Sequence, residues 1–146
     1  MTAADLARVM EIAASLPDAP HWQQSAYLAA LDPASTPRRI ALVVANPQTK
    51  DSQGFTIAHV LPPQAELETI AVDAAYQRRD LGRRLFDALA SELQAAGVHE
   101  VVLEVRASNH AALGFYRSLG FGKTGLRRGY YTDPVDDAVL MKLRLG

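Results

Sequence analysis

Glu104 is the residue of this 146-residue chain that most needs a chemical explanation. It interrupts the apolar run Val101-Val102-Leu103-Glu104-Val105, and a carboxylate among buried aliphatic side chains is costly unless it is used or paired. Such a group can serve as a general base. The competing explanation is an ion pair with Arg106, two residues on and on the same face of a strand. Tyr116 is a second candidate, seven residues beyond Asn109 and so on the same face of a helix, where a phenol can give up a proton. It could equally be a core aromatic packed beside Phe115 and Leu119. The third feature is a cationic turn in which Arg78, Arg79, Arg83 and Arg84 surround Asp80. A turn entering a helix N-terminus presents unpaired N–H groups and the positive end of the helix dipole, which together hold anions. The alternative there is a solvated helix face in which Asp80 pairs with Arg84 and Arg83 with Asp87. With no cysteine, whatever chemistry occurs runs on oxygen and nitrogen groups, without a thiol nucleophile or a thioester enzyme intermediate. His21, His59, His99 and His110 share no helical or alternate-residue spacing, so no metal site is expected.

The elements that must position these residues are legible from periodicity. Ala3 to Ala14 has helical spacing through Leu6, Val9, Met10 and Ala13, with Thr2 and Asp5 as its start signal. Pro17 and Pro20 break it, and Trp22 to Leu31 resumes helical spacing before Asp32-Pro33. Arg39–Ala45, Gly54–Leu61 and Glu66–Val72 are short runs rich in β-branched residues and predict an antiparallel meander. Leu81 to Ala96 predicts a long helix closed by Gly97, Glu100 to Val105 a buried strand, and Asn109 to Leu119 a helix ended by Gly120. Gly122 to Arg128 and Ala138 to Leu145 are two last strands. The expected fold class is α/β, one domain over residues 1–146, with a mixed, mostly antiparallel central sheet flanked by helices.

Two stretches carry a family resemblance. Gln77-x-x-Asp80-x-Gly82 is similar to the phosphate loop of GNAT N-acetyltransferases, with Asp80 where the loop has its first glycine. The text downstream is more specific: Leu103-Glu104-Val105-Arg106-Ala107-Ser108-Asn109, Phe115-Tyr116-Arg117-Ser118-Leu119-Gly120-Phe121, and Arg127-Arg128-Gly129-Tyr130-Tyr131 with Asp136-Asp137. It resembles the ribosomal-protein-alanine N-acetyltransferases of that family over about residues 66 to 145. The resemblance implies acetyl-CoA as cosubstrate, Glu104 as general base and Tyr116 as the acid for the departing thiolate. It also implies a bulge at Ile70, Ala71 and Val72 whose backbone meets the pantetheine arm. Arg78, Arg79, Asp80, Leu81, Gly82 and Arg83 would form the pyrophosphate loop, and Asn109 would both cap its helix and bond the cofactor. Arg127, Arg128, Tyr130, Tyr131 and Asp137 become candidates for the acceptor wall. Glu66 and Glu68 are rival bases on a neighbouring strand, for which solvent exposure is the simpler account. The family begins with a strand ahead of its first helix; that edge strand is expected to be missing here.

A formal charge of −1, from 15 basic and 16 acidic residues, argues against a nucleic-acid surface. No apolar run is long enough to span a membrane, and the start Met1-Thr2-Ala3-Ala4-Asp5 lacks the features of a signal peptide, so a cytoplasmic enzyme is expected. The acceptor implied is a primary amine, by resemblance a ribosomal-protein N-terminus. A small-molecule amine or a CoA-binding module without turnover are the alternatives. The sequence leaves the oligomeric state open.

Overall fold

In the computed structural model, residues 1–16, 22–34, 36–77 and 79–146 are described. The first two helices are α1, Leu6–Ser15, and α2, Gln24–Leu31. A 3-10 turn at Ala3–Asp5 precedes α1, because the Thr2 N–H donates to the Asp5 carboxylate at 2.7 Å and tightens the entry. Pro17, Pro20 and His21 lie outside the described residues. Three strands follow, β1 (Arg39–Ala45), β2 (Ser52–Leu61) and β3 (Gln64–Val72), then α3 (Leu81–Ala95). The chain continues through β4 (Glu100–Arg106), α4 (His110–Ser118), β5 (Gly122–Tyr131) and β6 (Asp136–Arg144).

The six strands form one sheet in the order β1-β2-β3-β4-β6-β5, antiparallel except between β3 and β4. Among the described residues no strand lies outside β1, where the Met1 ammonium donates to the Ala41 carbonyl at 3.2 Å. The parallel pair is crossed by α3, as the strand-helix-strand alternation demands.

Two cores cover the two faces of the sheet. Leu85, Leu89 and Leu93 are spaced to form one stripe of α3, and the last two pack with Val101, Leu103 and Val105 of β4 and with Phe121. On the other face, Val9 and Ile12 of α1 and Tyr27 of α2 pack on Phe55, Ile57 and Ala71. The second core stops at β3, so on β4 to β6 that face is left without a helix over it. No helix among the described residues is long and apolar enough to cross a membrane.

One polar contact joins α1 to the connection leaving β3. Arg8 forms an ion pair with Asp73 and donates Nε–H to the Ser52 carbonyl at 3.1 Å. The Ala75 N–H and the Arg8 guanidinium together hold the Asp73 carboxyl below its ordinary range. A carboxyl with a lowered pKa stabilises the fold above its unfolded value, and that stability disappears as pH falls through the folded value. Asp73→Asn is therefore expected to lose about 1 kcal/mol in urea unfolding at pH 7. The gap to wild type should close below about pH 4, as the wild-type carboxylate is protonated. A gap constant down to about pH 2 would show that the ionised form is not what matters.

Candidate active site

The parallel ladder between β3 and β4 has three rungs, Gln64 to Glu100, Ala65 to Val101 and Glu66 to Val102. Beyond Glu66 the strands part, and the edges of β3 and β4 that face each other over 67–72 and 103–106 have no ladder. Backbone N–H and C=O groups left this way need other partners, so the gap is a site for an extended ligand.

A bulge aims the side chains around this gap. Ile57 pairs with Thr69 and Ala58 with Leu67, so Glu68 is an extra residue in β3. The bulge therefore falls at Glu68, ahead of Ile70-Ala71-Val72 where it was expected. Glu68 carries the only register shift along β2–β3, and no sequence period marks it. It reverses the alternation: Ala65 and Leu67 pack under α3, whereas Ala71 packs under α1 and α2. As a result Ile70 and Val72 face the α3 and α4 side, while Glu66 and Glu68 face the opposite side.

On the α3 and α4 side lies a cleft of about 450 Å³, lined by Ile70 and Val72, by Tyr76, Gln77, Asp80, Leu81, Gly82 and Arg83, and by Ala111, Phe115 and Ser118 of α4. The N-terminus of the 15-residue α3 opens into it. Asp80 is the N-cap of α3 in a left-handed conformation, φ +59°, and its side chain makes no capping bond. That backbone explains why glycine is usual at this point of such a loop, and aspartate is among the few other residues that adopt it. Gly82 has a different constraint, because a Cβ there would lie 3.0 Å from the Phe115 ring. A side chain there would require the Phe115 ring to shift by a few tenths of an ångström, so glycine suits the close approach of α3 and α4.

The helical pairs of the alternative solvated face, Asp80 with Arg84 and Arg83 with Asp87, are absent from the ion pairs of the described residues. Arg83 instead donates to the Ser118 carbonyl at 2.9 Å, spanning the cleft to the C-terminal end of α4. Arg79 stacks over Tyr76, with its guanidinium carbon 5.7 Å from the ring centroid. Arg78 lies outside the described residues. Asn109 caps α4, accepting the Ala112 N–H at 3.1 Å, so that side-chain oxygen is engaged in holding the helix.

The opposite face carries the carboxylates. Glu104 is half-buried and pairs not with Arg106 but with Arg127 of β5, Oε1 to Nη1 3.6 Å. Arg106 is drawn away to the turn between β5 and β6, donating to the Pro134 carbonyl at 3.0 Å and stacking 4.4 Å above Tyr131. The Glu104 carboxylate, through its charge and a hydrogen bond, pushes the Tyr130 phenol up. Burial and the same carboxylate push Tyr131 up. Arg127 also lies 5.4 Å from the Tyr130 ring centroid. Glu104, Arg127, Tyr130 and Tyr131 thus form one wall. Arg128 is exposed beside it. Asp137 faces away from it, accepting the Gly129 N–H at 2.8 Å and fixing the bulge of β5 that presents the tyrosines.

Tyr116 packs edge-on against Phe121 with ring centroids 5.8 Å apart. Burial pushes its phenol up to about 12, so it holds its proton throughout the physiological range. Among the described residues no group of three or more His, Asp and Glu is placed to hold a metal. Tyr76, Ala111, Phe115 and Ser118 of the cleft were not singled out from sequence, nor was the pairing of Arg127 with Glu104. Phe115 sits in the aromatic segment that carries the resemblance, whereas the ion pair follows from β6 standing between β4 and β5, which no local signal gives.

A sheet whose central parallel pair parts above a helix N-terminus, with a carboxylate wall behind it, defines a class. The model of the acetyltransferase (GNAT) family matches residues 7–121, and the chain belongs to that family. Among individual relatives, the chain is 50% identical over 91 residues to ribosomal protein bS18-alanine N-acetyltransferase of Escherichia coli strain K12. That stretch is 61% of this chain and 62% of the relative's length. It is 49% identical over 81 residues, 56% of this chain and 49% of the relative, to N-alpha-acetyltransferase RimI of Mycobacterium tuberculosis. The crystal structure of the ribosomal-protein-S18-alanine N-acetyltransferase from Escherichia coli superposes with a TM-score of 0.84 at 35% identity, covering 100% of this chain and 91% of that one.

The left-handed residue at the cleft yields a backbone test. Asp80→Gly is expected to match wild type or gain up to about 1 kcal/mol in urea unfolding, while Asp80→Ala loses about 1 kcal/mol. The reverse order would mean that residue 80 does not hold a positive φ in solution.

Proposed function

We propose that residues 1–146 form one N-acetyltransferase domain that moves the acetyl group of acetyl-CoA, in the cytoplasm, onto a protein N-terminal alanine by direct attack in a ternary complex. The observation that carries this reading is the placement of an anion-suited cleft and a carboxylate wall on opposite faces of the sheet, joined through the gap between β3 and β4. The activity for which the E. coli relatives are named supports the acceptor.

The residues present fit the cosubstrate. The N-terminus of α3, with Arg78, Arg79, Asp80, Leu81, Gly82 and Arg83, would hold the pyrophosphate on backbone donors. The backbone of Ile70, Ala71 and Val72, unpaired toward β4, would take the pantetheine arm, and Asn109 would stand at its edge. Glu104 takes a proton from the acceptor ammonium, leaving the lone pair that attacks the thioester carbonyl. An N–H of the 70–72 stretch would meet the oxyanion, a contact commonly worth about 3 kcal/mol. Collapse breaks the carbon–sulfur bond. Tyr116, which arrives neutral, gives its proton to the thiolate, and the surplus proton shed by the new amide nitrogen returns to the phenolate. Arg127, Arg128, Tyr130 and Tyr131 form the acceptor wall, with Asp137 supporting it.

The reading is tested by thiol release from acetyl-CoA with peptides that begin with alanine, set against polyamines and aminoglycosides. Turnover of the peptides is expected. Turnover of the small amines alone would move the acceptor class, and binding of CoA without any turnover would replace the enzyme by a binding module. With the peptide, Glu104→Gln is expected to lower kcat/KM about a hundredfold at pH 7. The loss should shrink above about pH 8, where the amine arrives already neutral. A wild-type rate in Glu104→Gln across that range would remove Glu104 as base.

A further inference from the structure

Four carboxylates, Glu66, Glu68, Glu100 and Glu104, stand on the sheet face that carries the acceptor wall. Three of them have cations. Arg39 lies 2.7 Å from Glu68, Lys142 3.4 Å from Glu100 and Arg127 3.6 Å from Glu104. Glu66 has no ion-pair partner among the described residues. It opposes His59 across β2 and Val102 across β4, in the last rung before the strands part. The next residue of β4 on the same face is Glu104. Glu66 therefore stands at the closed end of the gap, with Glu104 where it opens.

We propose that Glu66 binds the ammonium of the incoming acceptor beside Glu104, so that the site takes its amine as a cation. This rests on the amino-terminal acceptor reading given above. The charge balance argues for it: Arg127 already compensates Glu104, so Glu104 alone offers an arriving cation no net attraction. Glu66 restores one negative charge for one positive charge. The groups facing it are Glu68 on its own strand, His59 on β2, Glu104 on β4 and Arg127 on β5. Glu66 is exposed to solvent at this end of the gap, so an arriving amine can reach it. Partial loss of water, then the charges of Glu68 and Glu104, raise its carboxyl from the ordinary value against the pull of His59 and Arg127. A carboxylate so placed gains from a cation that its own chain does not supply.

The acceptor that fits is a charged primary amine with an extended chain behind it, and a blocked terminus should be refused. Calorimetry with CoA present measures this without turnover, using an alanine-first peptide with a free terminus and the same peptide N-acetylated. Wild type is expected to prefer the free terminus by about five-fold. Glu66→Gln should lose that preference and Glu66→Asp keep part of it. In the steady state, Glu66→Gln should raise the peptide KM by about the same factor, with kcat and the KM for acetyl-CoA little changed. The wild-type peptide KM should also rise between about pH 7 and about pH 5, a rise absent from Glu66→Gln. Equal binding of free and blocked termini by wild type, or a full preference surviving in Glu66→Gln, overturns the proposal. Failure to acetylate any peptide would overturn the acceptor reading instead, while a preference lost on Glu66→Gln would still support Glu66 as the ammonium site.

Discussion

Three rungs of parallel pairing hold β3 against β4, and the chemistry available to this protein depends on their ending at Glu66 and Val102. A fourth and fifth rung would satisfy the backbone of both strands and leave no way through the sheet. The parting is not a local weakness of sequence, since Leu103 and Val105 are buried strand residues. It arises because β3 is anchored to β2 along its whole length and β4 to β6 along its whole length. Each strand follows its own antiparallel partner, and the pair between them yields. The packed core under α3 keeps the gap from collapsing, because Leu89 and Leu93 bind the two sides to one helix.

The bulge at Glu68 makes that gap two-sided. Without it, Glu66, Glu68, Ile70 and Val72 would share one face, and glutamates would stand in the path of an anionic cosubstrate. With it, one strand presents acids to one side and aliphatic groups to the other. Ion pairing on the acidic side runs across strands, Arg39 to Glu68 and Arg127 to Glu104. Each cation comes from a different strand than its acid, so the charge pattern is a property of the assembled sheet.

This explains which parts of the molecule were legible in its sequence. Hydrophobic period and glycine stops are local signals, so Arg39–Ala45 is legible to the residue and the other helices and strands to within three residues. The cationic turn before α3 and the carboxylate of Glu104 stand out by residue type against their context. What could not be read depends on strand neighbours. Arg106 was the natural partner for Glu104 along one strand, but β6 and β5 bring Arg127 instead and the β5–β6 turn takes Arg106. The bulge lies two residues ahead of the expected stretch, because a single extra residue changes register without changing composition. Of the two roles expected of Asn109, the geometry shows the cap, which a short side chain completes locally.

The opposition of cleft and wall has a consequence for traffic. The two ligands of the proposed reaction share no doorway, since each approaches its own side of the sheet and they touch only through the parted strands. A peptide terminus projecting from a body much larger than this 15.8 kDa chain can therefore stay seated while the spent carrier departs behind it. The bulk of the acceptor would be no obstacle to recharging, because what must reach into the gap from the acceptor's side is no wider than the end of one polypeptide.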